Sequence, residues 1–534
     1  MLNANCSGLT PGCCCVLWVV FLFAVPMAGL PKGSGQFSPR ASAESAPIKR
    51  ASYGTPTATL EPEVKFIIEN SEGLPPEFES DINLQLVESG RISNASLRTE
   101  LIDRAFRAAS LAQQIANLQP IAGTATDSRQ GLLGTSLFAT RLDRLSLQAR
   151  AVRQMLALHP GRARAMFEEL ELQFPPVGCR QRLTYKPSAV YQTLAEVARR
   201  SFTEPEQRQG PRRTFLSHYV GDLKSHSQVA PVASMLSESE LSGAELRELV
   251  PAYAAALVEL RGDAQSFTSE VAVGYADTFD AWKRLLRSLA SSEVSSGQLP
   301  EAFRTYLVEN FKGERCRNEF AETHPNGLPA AVGQFNHSFE RALRASGLAA
   351  ISPKELKNFK EVDAEKDELL WKSADSSRML GGLQKLRDND RGKSLTPVQK
   401  SSALWSANLA DYLVQLHAWS GTEEDEAHFF HERAFLYEGL VDLVPGSEER
   451  TKILESYIEF LEQNSFQQES RVEWFVHAKR LLDGLTGKNT RSEVLQAFLN
   501  SRDRVLSLYA RLAIWKSQRD VAPVPTDPKR KQLQ

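Results

Sequence analysis

The sequence predicts an all-α protein, either a multi-helix bundle or an irregular α-solenoid of helical hairpins. Apolar residues recur every three to four positions through most of the chain, which is the spacing of a helix with one buried face. Helix start and stop signals stand at the ends of these patterns. No alternating run bounded by hairpin turns is found, and the best strand candidate, 267–275 (FTSEVAVGY), lies within helical sequence.

Apolar stripes mark the individual helices. Three of them run through Leu97, Leu101, Ala105 and Ala109; through Leu142, Leu145, Ala149, Val152 and Leu156; and through Leu454, Ile458, Phe460 and Leu461. Pro160, followed by glycine, separates two helices, and a proline in the first helical turn needs no amide donor. Ser242 with Glu245, and Thr422 with Asp425, have the spacing of a capping box. These signals predict repeated helical hairpins joined by short turns, without a fixed repeat length.

The N-terminal segment, residues 1–30, predicts a signal peptide or an N-terminal anchor. Cys13 to Ala28 (CCCVLWVVFLFAVPMA) is a charge-free apolar run of 16 residues, which is shorter than the about 20 residues of an upright membrane-spanning helix. Its length and its small-residue end match the apolar core of an export signal. Because no basic residue precedes Lys32, cleavage and retention as an anchor both stay open. The prediction is an exported protein, periplasmic or extracellular.

Composition divides the remaining chain into four parts. Residues 31–62 are rich in Gly, Ser, Pro, Ala and Thr and predict a flexible linker. Helix patterning, interrupted by the Pro- and Gly-rich stretch 322–333, predicts an N-terminal helical domain at 63–326 and a C-terminal helical domain at 327–520. The Pro-rich end, 521–534, predicts a disordered tail.

The charge balance argues against a nucleic-acid partner. The chain has 63 Lys and Arg against 65 Asp and Glu, whereas nucleic-acid binding needs a basic face that displaces counterions. The sequence therefore predicts no nucleic-acid partner, and it predicts membrane contact only through an uncleaved N-terminal segment.

Cysteine usage fits an exported chain. Four of the six cysteines lie in the leader, which leaves Cys179 and Cys316 in the rest of the protein. Two cysteines in an exported protein can form one disulfide, and closing so long a loop contributes roughly 5 kcal/mol on the chain-entropy account. The alternative is two buried free thiols.

The best metal candidate is the segment 423–432 (EEDEAHFFHE). On one helix, Asp425, His428 and either His431 or Glu432 project from one face. Two imidazoles three residues apart, at His428 and His431, can share a metal ion with a carboxylate. The His-Glu-x-x-His pattern of hydrolytic zinc sites is absent. The alternative is an ordinary helix start, in which acidic residues face the positive end of the helix dipole and Phe429 and Phe430 pack inward.

No pattern of a catalytic nucleophile is found, since the chain has no G-x-S-x-G motif and its histidines are scattered. His417 and His477 lie on apolar helix faces and are interpreted as core or groove histidines. In the segment 469–477 (ESRVEWFVH), Glu473 and Trp474 have two interpretations. They line a groove that binds a sugar or peptide by hydrogen bonding and stacking, or they pack in the core. No cofactor is predicted.

Three segments carry a resemblance: SLQARAVRQMLALHPGRARAMFEEL, HFFHERAFLYEGLVDLVP and EWFVHAKRLL. They are similar to uncharacterised exported all-helical proteins of soil bacteria, over most of the chain after the leader. The resemblance implies a bacterial exported protein and implies no catalytic residue.

These observations favour a non-catalytic scaffold that binds a protein or peptide. The motivation is helix-period patterning without a catalytic signature. The alternative is an enzyme whose site is assembled from distant helices, and a polysaccharide-acting hydrolase or lyase with a helical fold is its natural form in an exported protein. Converging carboxylates, histidines or tyrosines in a pocket would favour the enzyme.

Overall fold

The structure of the protein is a computed structural model. It describes residues 61–112, 140–172, 174, 187–316, 327–357, 360–362, 373–388, 393–400, 402–420, 426–445, 447–465, 471–484 and 488–518. The predicted leader, the tail and most of the predicted linker lie outside these residues. The described part is almost entirely helical, which confirms the predicted all-α class.

Five helices form the first part of the chain. They are α1 (Pro62–Ser71), α2 (Pro76–Glu88), α3 (Ala95–Leu111), α4 (Arg144–Leu156) and α5 (Pro160–Glu168). The five residues of the predicted stripe are buried: four lie on α4, and Leu142 directly precedes its N-cap residue. Helix α5 begins at the predicted Pro160. The side chains of Asn94 and Asp143 cap α3 and α4 by accepting backbone N–H groups of the first helical turn.

The described middle of the chain, 187–259, contains shorter helices and three capping boxes. The helices are α6 (Pro187–Arg200), α7 (Glu204–Gln209), α8 (Pro211–Val220), α9 (Val229–Glu238) and α10 (Gly243–Glu259), with a 3₁₀ turn at His226–Gln228. Ser242 and Glu245 form the predicted capping box of α10, in which each side chain satisfies a backbone N–H of the other residue.

The segment that was the best strand candidate is helical. Residues Ala264–Phe267 form α11, and Thr268–Val273 continue as a π-helix. The helical context that the sequence indicated for 267–275 is therefore confirmed. Its β-branched residues and aromatics reflect burial against helices, since Phe267 and Val271 lie in the core.

Three longer helices and one short pair of strands follow. The helices are α12 (Tyr275–Ser291), α13 (Leu299–Lys312) and α14 (Ala330–Ala345), with a 3₁₀ turn at Pro353–Leu356. Strands β1 (Glu314–Cys316) and β2 (Lys360–Val362) pair in parallel. At three residues each, they are too short to give a period that sequence analysis can detect.

The last eight helices form the C-terminal part. They are α15 (Ala374–Arg387), α16 (Pro397–Lys400), α17 (Ala403–Ala418), α18 (Glu426–Leu443), α19 (Ser447–Asn464), α20 (Arg471–Gly484), α21 (Lys488–Leu499) and α22 (Arg504–Ser517). The predicted stripe through Leu454 and Leu461 is buried on α19. Most helices pack on neighbours in the chain, as helical hairpins do, and α15 packs on both α17 and α18.

The C-terminal helix returns to the beginning of the fold. Helix α22 packs on α1 and α2, where Tyr509 donates a hydrogen bond of 2.6 Å to the Asp81 carboxylate. Phe475 of α20 and Tyr509 both contact the ring of Phe78. The described residues belong to one compact unit with a continuous hydrophobic core. The predicted boundary at 326/327 stays a prediction.

None of the helices in the described ranges has both the length and the apolar character that crossing a bilayer requires.

Candidate functional site

A carboxyl group and two imidazoles form a buried chain between α18 and α20. His431 and Glu438 are seven residues apart, two helical turns, so they lie on one face of α18. His477 of α20 lies between them: its Nε2 is 2.8 Å from His431 Nδ1, and its Nδ1 is 2.8 Å from Glu438 Oε1. We call these three residues, with Arg480 and Tyr457, the Glu438 cluster.

Burial controls the charge of this cluster. It raises the pKa of Glu438 from 4.5 to about 8, although the Arg480 guanidinium, with its Nη1 3.0 Å from Oε2, favours the ionised form. Burial, and then the Arg480 charge, lower the pKa of His477 well below its ordinary value. The cluster therefore holds a neutral imidazole and a carboxyl group that is protonated at neutral pH.

The chain of three groups can hold its protons in two arrangements. When Glu438 is protonated, its O–H donates to His477 Nδ1, and His477 Nε2–H donates to His431 Nδ1. When Glu438 is ionised, His477 Nδ1–H donates to the carboxylate and His431 Nδ1–H donates to His477 Nε2. Chemically, this is a short proton path with an acid at one end.

The surroundings of this path are aromatic on the imidazole side and more exposed on the carboxyl side. The rings of Phe430 and Phe435 meet the His477 ring edge to face. The Arg480 side chain stacks over Phe435 and is one quarter exposed, whereas the side chains of His431 and His477 are fully buried. Solvent reaches the cluster most closely at Glu438 and Arg480.

A second buried histidine lies among the middle helices. His226 Nε2 is 2.7 Å from the Gly262 carbonyl oxygen, and His226 Nδ1 is 2.7 Å from the Tyr306 hydroxyl. Because a carbonyl oxygen only accepts, Nε2 carries the proton and Nδ1 accepts from Tyr306. We call His226, Tyr306, Gly262, Ser225 and Asp263 the His226 cluster.

The backbone conformation and the burial of the His226 cluster hold the imidazole in one protonation state. Gly262 and Asp263 both have positive φ angles, 78° and 46°, and the Asp263 carboxylate caps α11 and accepts from the Ser225 hydroxyl. Burial lowers the pKa of His226 to about 4, and it raises the pKa of Tyr306 well above 10. The imidazole is therefore neutral, with both ring nitrogens hydrogen-bonded.

Helix α17 has a second apolar face that points into solvent. Its inner face is held on α15, where Trp405 Nε1 donates to the Leu386 carbonyl and the Tyr412 hydroxyl donates to the Met379 carbonyl. On the outer face Leu404 is 73 % exposed and Val414 is 69 % exposed. We call the exposed residues Ala403, Leu404, Ala407, Ala410 and Val414 the α17 face.

A cleft of about 520 Å³ lies where the two ends of the fold meet. The α1–α2 turn, the end of α19 and the start of α22 line it. Glu462 in this lining accepts hydrogen bonds from the Ser501 hydroxyl, at 2.6 Å, and from the Arg502 N–H, at 2.7 Å. Its polar groups thus join α19 to the start of α22.

The predicted metal site is described only in part. Asp425 lies outside the described residues, the His428 side chain is likewise not described, and His431 directs Nδ1 to His477. Within the described ranges, no group of three His, Cys, Asp or Glu side chains is placed to hold a metal ion. The metal site stays a prediction, and zinc titration of metal-free protein checks it.

The predicted disulfide and the predicted groove are likewise described only in part. Cys316 is buried in β1, and Cys179 lies outside the described residues, so the pair stays a prediction that mass spectrometry of the non-reduced protein checks. His477 and Trp474 are buried, as expected of core residues, whereas His417 is exposed. The Glu473 side chain is not among those described.

Sequence reasoning missed the acid of the Glu438 cluster. The two-turn spacing of His431 and Glu438 was a detectable signal, because such residues share a helix face. The meeting of His226 with Tyr306, 80 residues later, has no sequence signal of this kind.

No protein-family model, no curated protein and no solved structure matches the chain.

Proposed function

We propose that this protein is a non-catalytic helical scaffold that binds an apolar helix of a protein partner through the α17 face. The observation that carries the proposal is the exposure of Leu404 and Val414 on a helix whose opposite side is already packed on α15. A helix that is apolar on both sides is typical of a buried helix, so its outer side has the character of a surface that a partner covers.

The charge of α17 defines the kind of partner. Asp411 is the only Asp, Glu, Lys or Arg in the 16 residues of this helix. A nearly uncharged surface offers little to an acidic or basic ligand, whereas an apolar helix can pack along it through side chains spaced three and four residues apart.

The two histidine clusters support a scaffold role. His226 uses both ring nitrogens within the protein, and His477 does the same with His431 and Glu438. Buried polar groups that satisfy one another in this way stabilise a unique packing of helices.

Export remains part of the proposal and rests on the apolar run 13–28. Its test is the N-terminal sequence and the cell fraction of the protein produced in a bacterium. Recovery from the periplasm or medium with the leader removed supports export by a cleaved signal, and recovery from the cytoplasm contradicts it.

Site-specific photo-crosslinking tests the binding role. A benzophenone amino acid at Leu404 is expected to give one discrete adduct, whose partner peptide is identified by mass spectrometry as an apolar helix. The same amino acid at Leu111, which is 77 % exposed at the end of α3, is the matched control. Equal adducts from both positions, or no adduct from Leu404, would argue against the α17 face.

One observation favours the enzyme as a second candidate. The carboxyl group of Glu438 has a pKa of about 8, so it keeps its proton at neutral pH, and it lies beside His477. A polysaccharide hydrolase uses a protonated carboxyl group as its general acid. The test is release of reducing ends from polysaccharides by the protein and by Glu438→Gln. Glu459→Gln, an exposed change on α19, is the control. Activity that Glu438→Gln retains contradicts this candidate.

A further inference from the structure

We propose that the contact between the two ends of the fold opens and closes as a unit of its own, and that charge holds it closed. This contact, which we call the α22 joint, consists of α22 packed on α1 and α2, with Glu61 and Arg91 at its edge. Opening leaves α22 on α21 and α1 on α2, so no other pair of these helices separates. The α22 joint is separate from the α17 face and does not depend on its binding role.

The helices of the α22 joint carry opposite charges. Helix α22 contains Arg504, Arg511 and Lys516 and no Asp or Glu. Helices α1 and α2 together contain six acidic residues and one basic residue, Lys65. Attraction between exposed charges extends over about 8 Å at physiological ionic strength and over about 3 Å at 1 M salt. Added salt therefore weakens the attraction of α22 for the first two helices.

Ion pairs and charged hydrogen bonds line the exposed edge of the α22 joint. Arg511 Nη1 of α22 is 3.2 Å from Glu63 Oε1 of α1. The Trp515 indole donates to Glu61 Oε2 at 2.7 Å, and Arg91 pairs with the same carboxylate at 3.0 Å. The side chains of Glu61 and Glu63 are 54 % and 41 % exposed. Dissolved ions therefore reach these carboxylates and screen the charges that hold the edge closed.

The buried side of the α22 joint keeps its polar group satisfied when the joint opens. In the closed state Tyr509 donates to the Asp81 carboxylate at 2.6 Å, and the Phe78 ring meets the rings of Tyr509 and Phe475. The Arg150 guanidinium on α4 is 2.6 Å from Asp81 and remains its partner after α22 leaves. Opening therefore leaves this buried carboxylate paired, and its free energy is lower than that of global unfolding.

The cleft of about 520 Å³ lies beside the α22 joint, at the start of α22. The α1–α2 turn forms one wall of this cleft, and the end of α19 with the start of α22 forms the other. Arg504 belongs to the second wall, and its Nη2 donates to the carbonyl oxygens of Asn70, at 2.9 Å, and Glu72, at 3.2 Å, next to the first wall. Opening of the joint breaks these hydrogen bonds and separates the two walls.

Hydrogen exchange of the intact protein, followed by mass spectrometry at neutral pH, tests the α22 joint. The amides of α1 and α22 are expected to exchange faster than those of α9 and α12, because local opening costs less free energy than global unfolding. Raising sodium chloride from about 0.02 M to about 0.5 M should accelerate the exchange of α1 and α22 about five- to tenfold.

Helices α9 and α12, which pack on each other away from the α22 joint, are the internal reference and should not respond to salt. Exchange of all four helices at one rate overturns the proposal, since it shows that the joint opens only when the whole protein unfolds. Exchange of α1 and α22 that salt does not alter overturns it as well, since charge then does not hold the joint closed.

Two substitutions separate charge across the α22 joint from a general loosening of the protein. Glu63→Gln removes the pair with Arg511 and should accelerate the exchange of α22 about two- to fivefold at low salt, with a weaker response to added salt. Glu340→Gln is the matched control, because Glu340 pairs with Arg344 on the same helix, α14, outside the joint. It should leave the exchange of α22 unchanged. Equal acceleration by both substitutions, or an unaltered salt response in Glu63→Gln, overturns the proposal that charge holds the joint closed.

Discussion

His226 and His477 are both fully buried, yet their neighbours differ in one respect. A carbonyl oxygen and a tyrosine hydroxyl bind His226, and near neutral pH neither of these groups loses or gains a proton. A carboxyl group and a second imidazole bind His477. The first cluster therefore has one arrangement of protons, whereas the second has two. Similar burial thus produces a fixed structural contact in one place and a titratable one in the other.

The two clusters should respond to pH in opposite directions. The pKa of His226 is lowered on folding, so its contribution to stability is complete above pH 6.5 and is lost as the pH falls towards 4. The pKa of Glu438 is raised on folding, so its contribution is complete below pH 4.5 and is lost as the pH rises towards 8. Four predictions test this contrast.

The largest expected effect belongs to Glu438 on the alkaline side. A pKa raised from 4.5 to about 8 corresponds to a loss of up to about 5 kcal/mol in the free energy of unfolding between these pH values. Glu438→Gln cannot ionise and should remove most of this loss. Urea denaturation of both proteins from pH 4.5 to 8.5 measures the difference. Parallel curves for the two proteins would show that Glu438 ionises freely in the folded state.

The next effect belongs to His226 on the acid side. A pKa lowered from 6.5 to about 4 corresponds to a loss of about 3 kcal/mol as the pH falls through this range. His226→Gln should be less stable at pH 7 but should lose less on acidification. The measurement is the slope of unfolding free energy against pH between 6.5 and 4. An unchanged slope in the variant contradicts a buried neutral imidazole.

A smaller effect is expected for the hydroxyl that donates to His226. Tyr306→Phe leaves Nδ1 as a buried acceptor without its 2.7 Å donor, which should cost about 1–3 kcal/mol. Thermal or urea unfolding at pH 7 measures this cost. Tyr253→Phe is the control, because the Tyr253 hydroxyl is also buried and hydrogen-bonded: it donates to the Val229 carbonyl and accepts from Trp282 Nε1. This variant should lower the free energy of unfolding at pH 7 without changing its slope against pH between 6.5 and 4. An acid slope that Tyr253→Phe and Tyr306→Phe alter equally contradicts the specific role of Tyr306.

The smallest effect is expected for Tyr457. Its hydroxyl lies 3.4 Å from Glu438 Oε1, at the long end of hydrogen-bond distances. Tyr457→Phe should therefore cost under about 1 kcal/mol at pH 6. A cost as large as that of Tyr306→Phe would show that the hydroxyl is a principal partner of the carboxyl group, and the two clusters would then be more alike than their geometry indicates.

Helices with strong one-sided patterns could be predicted from the sequence. The stripe from Leu142 to Leu156 and the capping box of Ser242 and Glu245 are local signals, and both are confirmed. The segment 267–275 was only a strand candidate within helical sequence, because β-branched residues fit a buried helix as well as a strand. The site could be predicted less well. The sequence left His477 as a core or groove histidine, and its partner Glu438, which lies on another helix, was not predicted. Contacts between distant segments depend on how whole helices dock, which local patterns do not specify.

The return of α22 to α1 and α2 has a consequence for the order in which the protein can fold. During synthesis, Tyr509, one of three residues that donate to the Asp81 carboxylate, emerges from the ribosome 428 residues later, well after the other two donors, Gln85 and Arg150. Until then Phe78 lacks Tyr509, one of its two aromatic neighbours from the last helices. Contacts of such sequence separation form slowly, so the chain is complete before its first helices find their final neighbours. The final packing of α1 and α2 therefore waits for α22.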